Sequence, residues 1–124
     1  MKKIVFCIVG MFFCFFAHAQ QQEIVNCFKS GSSDCLAEYF NENIDLTVGN
    51  VEGVFSKSQS KVILQKFFNE NSVQNFTILH QNGSDSAKNI IAQLQTQNKS
   101  YRIYLLVKTI NTNPIIQKIR IEND

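Results

Sequence analysis

The chain has 124 residues, 44% of them hydrophobic, and a formal net charge of +2. This length and apolar fraction predict one domain with a buried core and exclude a repeat array, since no segment recurs along the chain. Lys2 and Lys3 account for the surplus charge, and without them Lys plus Arg and Asp plus Glu number ten each. That balance excludes the basic face that a nucleic-acid-binding protein needs.

The first nineteen residues have the three parts of a secretory signal: a positive start, an apolar stretch over residues 4–16 and a small-x-small pattern ending at Ala19. The apolar stretch is shorter than the roughly 20 residues that span a bilayer. Cys14 follows a phenylalanine rather than the small residue of a lipid-attachment site. The sequence therefore predicts cleavage between Ala19 and Gln20, no stable membrane anchor after cleavage, and a periplasmic or secreted mature domain over residues 20–124.

Two short helices are predicted to open the mature chain. Gly31 suits the left-handed position that ends the first helix, and Ser33 or Asp34 can cap a second helix running through Phe40. The apolar residues of the first helix recur at helical spacing, at Ile24, Val25, Cys27 and Phe28.

Cys27 and Cys35 are the cysteines that remain after cleavage. An even pair in an oxidising compartment favours a disulfide. The alternative is that Cys27 is a small core residue, because the pair would close only a short loop. With one histidine in the mature chain and no third soft ligand nearby, the sequence predicts no metal site. No pattern indicates a cofactor.

A hairpin and a third helix follow. Residues 44–48 alternate between apolar and polar and predict a strand, which a turn at Gly49-Asn50 connects to a short strand over residues 51–55. Ser56 and Gln59 have the spacing of a capping box at the start of a helix. The face of that helix predicted to be buried consists of Val62, Ile63, Leu64, Phe67 and Phe68.

From Val73 the apolar period changes to two, which predicts four strands in succession. The alternation places His80 on the inward face with Phe76 and Ile78, and places Gln117 inward among isoleucines of the last strand. The outward face is predicted to carry Ile91, Tyr104, Leu106 and Ile116. The fold class is therefore α+β, in the order α-α-β-β-α-β-β-β-β, with helices packed on one face of an antiparallel sheet.

The sequence also resembles a known family. The segments that carry the resemblance are residues 28–31, 36–40, the capped helix from Ser56, and residues 78–81, 101–104 and 119–122. They are similar to the domain of unknown function 4783 family, within the nuclear transport factor 2-like (cystatin-like cone) superfamily of exported bacterial proteins. The resemblance implies a strongly curved antiparallel sheet wrapped round a helix, with a conical cavity. It implies no site residues, because the function of the family is unassigned.

Three functional hypotheses remain. The leading one is a non-catalytic module that binds a small apolar ligand in the cone or a partner on the sheet. The second is an enzyme that uses His80 as a pocket acid or base together with a tyrosine or Gln117. A homodimer formed through the outward sheet face is the third. The polar residues predicted to line a pocket are His80, Gln117, Tyr39 and Tyr101.

Overall fold

The computed structural model of the chain describes residues 21–124. The predicted signal segment, with its cleavage site between Ala19 and Gln20, lies outside these residues. The helices are α1 (residues 21–30), α2 (Ser33–Ala37) and α3 (Lys57–Glu70). The strands are β1 (Phe40–Val48), β2 (Val51–Ser56), β3 (Val73–Gly83), β4 (Ala87–Thr96), β5 (Ser100–Ile110) and β6 (Asn113–Asn123).

The six strands form one sheet in the order β2-β1-β6-β5-β4-β3. Neighbouring strands are antiparallel except β1 and β6, which are parallel. Strand β6 therefore lies at the centre of the sheet, between the hairpin of β1 and β2 and the antiparallel strands β3, β4 and β5. The predicted order of elements and the α+β class are confirmed.

The core lies between the helices and one face of the sheet. Phe28 of α1 stacks on Phe76 of β3, with ring centroids 4.7 Å apart, and meets Phe68 of α3 edge-on at 6.5 Å. Phe28 is fully buried and so connects all three elements. The sheet contributes alternate side chains, which is why its inner face is apolar; among them are Ile44, Leu46, Leu94, Ile103, Leu105, Ile119 and Ile121.

The boundaries of α2 differ from the prediction. Ser32, rather than Ser33 or Asp34, is the N-cap, and its hydroxyl accepts a hydrogen bond from the backbone N–H of Cys35. The helix ends at Ala37 instead of running through Phe40. Phe40 starts β1 because its backbone lies beside Ile116 of β6, and tertiary strand pairing overrides the local helical pattern.

The start of α3 is as predicted, but its buried face is rotated. Ser56 and Gln59 form the capping box. Val62, predicted to be buried, is 69% exposed, whereas Ser60 is fully buried. The reason is geometric: Leu64, Phe67 and Phe68 face the core, and the residue one turn before Leu64 on that face is Ser60.

Two of the bulges in the sheet move residues named in the sequence analysis to the other face of their strand. In β3, Ile78 lies opposite Ala92 while His80 lies opposite Ile91, so Leu79 is an extra residue. In β6, Lys118 lies opposite Leu106 while Ile116 lies opposite Val107, so Gln117 is extra. An extra residue moves every later side chain to the other face of the strand.

Candidate functional site

His80 lies on the face of the sheet that points away from the helices, which we call the outer face. Because of the bulge at Leu79 it shares a face with Ile91 rather than with the buried Phe76, and it is exposed. The predicted inward position of His80 is therefore wrong. The enzyme hypothesis required His80 as an acid or base inside the cone, and His80 does not lie there.

Gln117 occupies the bulge of β6, where it is half-buried. Its side-chain oxygen accepts a hydrogen bond from the Asn41 amide at 3.2 Å, which links β6 to the start of β1. The same bulge turns Ile116 inward, where it is fully buried, so the prediction that Ile116 faces outward is also wrong. Strand alternation alone could not reveal either outcome.

Both predicted pocket tyrosines use their hydroxyls in local contacts. Tyr101 donates a hydrogen bond to Asn71, at 2.9 Å, and Asn71 in turn donates to the backbone carbonyl of Phe67 at the end of α3. Burial raises the pKa of Tyr101, with a contribution from the charge of Glu70. Tyr101 thus fixes the end of α3.

Tyr39 donates a hydrogen bond to the carboxylate of Glu23 on α1. This hydrogen bond, with a smaller contribution from burial, raises the pKa of Tyr39 from 10.0 to about 12. The contact joins α1 to the residue before β1. His80, Gln117, Tyr39 and Tyr101 consequently have separate surroundings, and the structure does not bring them together as one pocket.

Cys27 and Cys35 form a disulfide, with their Cα atoms 5.4 Å apart. The bond ties the core-facing side of α1 to α2, and Cys27 is fully buried. Within residues 21–124 no group of three or more His, Cys, Asp or Glu side chains could hold a metal ion. Over the same range, no helix is long and apolar enough to cross a membrane.

The outer face of the sheet carries three rows of side chains, because residues opposite one another on paired strands point to the same side. The first row is Asn82, Asn89, Leu106, Lys118, Asp45 and Val54; the second is His80, Ile91, Tyr104, Arg120, Thr47 and Glu52; the third is Thr77, Gln93, Arg102 and Glu122.

A depression of about 410 Å³ lies in the middle of the outer face. Tyr104 and Leu106 form its apolar part, and with the neighbouring Ile91 they are only half-buried. The depression is lined by Asn89, Tyr104, Leu105, Leu106, Lys118, Arg120 and Glu122. Sequence alternation identified the outward apolar residues Ile91, Tyr104 and Leu106.

The charges on the outer face are mixed in sign. Arg120 forms an ion pair with Glu122 on the same strand, and Lys118 lies 3.9 Å from the carboxylate of Asp45. At the sheet end, Arg102 lies 2.8 Å from the side chain of Asp124. The hydrogen bond that Gln93 donates, and to a smaller extent the one from Arg102, lower the pKa of the Asp124 side chain. The face is therefore amphipathic rather than basic or acidic.

The model of the domain of unknown function 4783 family matches residues 21–122. The chain belongs to this family. No curated protein matches the chain. The family description assigns no activity, and the match therefore adds a fold and a set of relatives but no site.

Solved members of the family have the same fold. A DUF4783 family protein from Bacteroides fragilis is 28% identical, with a TM-score of 0.76 over 82% of this chain and 96% of that one. Another, from Bacteroides uniformis, is 25% identical, with a TM-score of 0.77 over 83% and 95%. A designed nuclear transport factor 2-type protein with a long sheet, 15% identical, matches with a TM-score of 0.67 over 85% and 98%. This DUF4783 member thus has the nuclear transport factor 2-like fold.

Proposed function

We propose that the mature chain is an exported, non-catalytic binding module whose outer face binds a partner protein. The observation that carries this proposal is the group of half-exposed apolar side chains, Ile91, Tyr104 and Leu106, side by side on the middle strands of the outer face. Large apolar side chains that are grouped on a surface mark interaction sites more often than single ones do.

The surroundings of this group support a protein partner. Lys118, Arg120 and Glu122 border the apolar side chains, and all three remain partly exposed. An apolar centre with a charged rim is the usual anatomy of a protein interface, and tyrosine and arginine are enriched there. Within residues 21–124 the helices pack against the opposite face of the sheet and leave the outer face accessible.

The other hypotheses have less support. A small apolar ligand in the cone would need polar groups to orient it, but Tyr39, Tyr101 and Gln117 are hydrogen-bonded to neighbouring residues. An enzyme would need a second group near His80, which is on the outer face. Export of the module is proposed from the signal pattern that ends at Ala19.

Native mass spectrometry of the protein purified from the exporting host tests this proposal. We expect a mature chain that begins at Gln20 and a complex of higher mass than one chain. Leu106→Glu should remove that complex, because a carboxylate in the apolar depression is desolvated when a partner covers it.

The matched control is Val62→Glu, which places the same charge on an exposed apolar position of α3. This variant should keep the complex. If Leu106→Glu retains the full complex, or if Val62→Glu loses it equally, the outer face is not the binding surface. A small ligand that stays bound to Leu106→Glu with no protein partner would point to the cone instead.

A further inference from the structure

We propose that the loop between β3 and β4 is a modification site, at which the Ser86 hydroxyl receives a sugar chain by O-glycosylation. This inference goes beyond the proposed function and rests on only one part of it, the export of the chain. The loop consists of Ser84, Asp85 and Ser86, and all three residues are exposed. None of them belongs to the three rows of the outer face or to the core.

The backbone of this loop is held in one shape. Ser84 and Ala87 exchange two backbone hydrogen bonds, of 3.0 and 3.3 Å. Thr109 on β5 donates its backbone N–H to the carbonyl of Ser86, at 3.0 Å, and its hydroxyl to the carbonyl of Asp85, at 2.8 Å. Because these bonds use main-chain atoms of the loop, they fix its shape and leave the side chains of Asp85 and Ser86 exposed to an enzyme.

Gly83 allows the chain to enter the loop. Its φ value is 102°, in a region that side chains other than hydrogen disfavour. A Cβ atom at this position would lie 2.3 Å from the carbonyl oxygen of Ala87. The shape of the loop therefore depends on the glycine as well as on the contacts with β5.

The Ser86 side chain is accessible as an acceptor. Its hydroxyl lies 2.8 Å from the hydroxyl of Ser84, and both groups are exposed. Water can replace this hydrogen bond, so giving it up costs little. Other serines differ, since Ser33 and Ser60 are buried and Ser56 caps α3.

Asp85 places a negative charge next to the acceptor. Its side chain is fully exposed, and its carboxylate lies 4.0 Å from the ammonium group of Lys88. An exposed ion pair contributes little to stability, so an enzyme can take over this carboxylate at little cost. The tripeptide Asp85-Ser86-Ala87 resembles the acid–hydroxyl–small acceptors at which some exported bacterial proteins are O-glycosylated.

Export determines which group the hydroxyl receives. Nucleoside triphosphates, which phosphorylate serine in the cytoplasm, are not supplied outside it, whereas sugar chains are carried there on membrane polyprenyl diphosphates. The Ser86 oxygen forms a bond to the anomeric carbon of such a sugar. The bond from that carbon to the phosphate oxygen breaks, and its electron pair leaves with the lipid diphosphate. The serine proton passes to a base of the transferase.

The loop lies beside the outer face rather than on it. Asn82 and Asn89, which lie opposite each other in the first row, come before and after the loop. No loop residue lines the central depression. A sugar chain on Ser86 is therefore compatible with a protein partner on the outer face.

Intact-mass spectrometry of the full chain purified from the exporting host tests the site. We expect a mass above that of residues 20–124 by a sum of monosaccharide residues. Ser86→Ala should lose the whole increment, and Ser86→Thr should keep it because the hydroxyl remains. Asp85→Asn should lose most of the increment, since the charge beside the acceptor is removed.

The matched control is Ser84→Ala, which removes an equally exposed hydroxyl from the same loop. This variant should keep the full increment. Fragmentation of the wild-type chain should place the sugar on the peptide that contains Ser86. Circular dichroism checks that every variant is folded.

The outcomes separate this inference from the proposed function. A chain that begins at Gln20 and has no increment overturns the inference, as does an increment that survives Ser86→Ala, is lost equally in Ser84→Ala, or equals a phosphoryl group. The proposed function survives each of these results if Leu106→Glu still removes the complex and Val62→Glu does not. A chain that keeps residues 1–19 contradicts the export that both proposals assume.

Discussion

At the scale of single residues, the pKa of Tyr39 is raised to about 12, mainly because its hydroxyl donates a hydrogen bond to Glu23. The folded chain holds this proton more tightly than the unfolded chain. The stabilisation is therefore fully present below pH 10 and is lost as the pH rises through the folded pKa of about 12. Tyr39→Phe should cost less than about 1 kcal/mol at pH 7, since Glu23 is exposed. It should also flatten the loss of stability between these two pH values.

Urea denaturation at several alkaline pH values, with tyrosinate absorbance followed in parallel, measures both effects. Tyr104→Phe is the control, and it should leave the late tyrosine titration in place. If Tyr39→Phe titrates like the wild type above pH 10, the hydrogen bond to Glu23 does not form in solution.

His80 and Gln117 illustrate the limit of sequence interpretation at this scale. Alternation correctly predicts the faces of Phe76, Ile119 and Ile121, because one face of each strand is buried. A bulge changes that phase, and it depends on the neighbouring strand rather than on the local sequence. Neither leucine, as at Leu79, nor glutamine, as at Gln117, is a residue type that distinguishes a bulge from an ordinary strand position.

At the scale of elements, the disulfide between Cys27 and Cys35 joins α1 to α2. Replacing both cysteines with alanine should lower the free energy of unfolding by about 2 to 3 kcal/mol, a modest value because the closed loop is short. Urea denaturation with and without a reducing agent measures the loss. The reductant should destabilise the wild type and leave the double variant unchanged; an equal effect on both would exclude a contribution from the disulfide.

The β5–β6 turn contains a strained residue. Asn111 and Thr112 both have positive φ values, 50° and 67°, as a two-residue hairpin turn requires. Threonine is unfavourable there because its branched side chain crowds the backbone. Thr112→Gly should therefore raise the free energy of unfolding by about 1 kcal/mol.

Thermal denaturation compares Thr112→Gly with Thr77→Gly, an exposed strand position without positive φ. The second change should destabilise the chain, because glycine weakens a strand. A destabilising Thr112→Gly would show that the strain at the turn is absent in solution.

The positions of helices and strands were easier to predict from the sequence than the face that a single side chain occupies. The capping box at Ser56 and the period-two pattern from Val73 are local signals, and both elements form where expected. The end of α2 was not predictable, since Phe40 leaves the helical pattern to pair with β6. That pairing joins residues far apart in the sequence, and no local pattern encodes it.

For the whole molecule, the position of β6 creates the outer face. By lying between β1 and β5 it brings Lys118 and Arg120 beside Tyr104 and Leu106, and these four residues line the central depression. The sequence predicts the fold class and three outward apolar residues, but not this arrangement, because strand order is a property of the complete sheet.

Hydroxyl-radical footprinting of the complex isolated from the exporting host tests the central claim, that the outer face binds a partner. The reference is the same chain diluted until it dissociates. We expect oxidation of Tyr104 and Leu106 to fall several-fold in the complex while Val62 on α3 is oxidised equally in both states. Equal oxidation of Tyr104 and Leu106 in the complex and in the dissociated chain would contradict the claim.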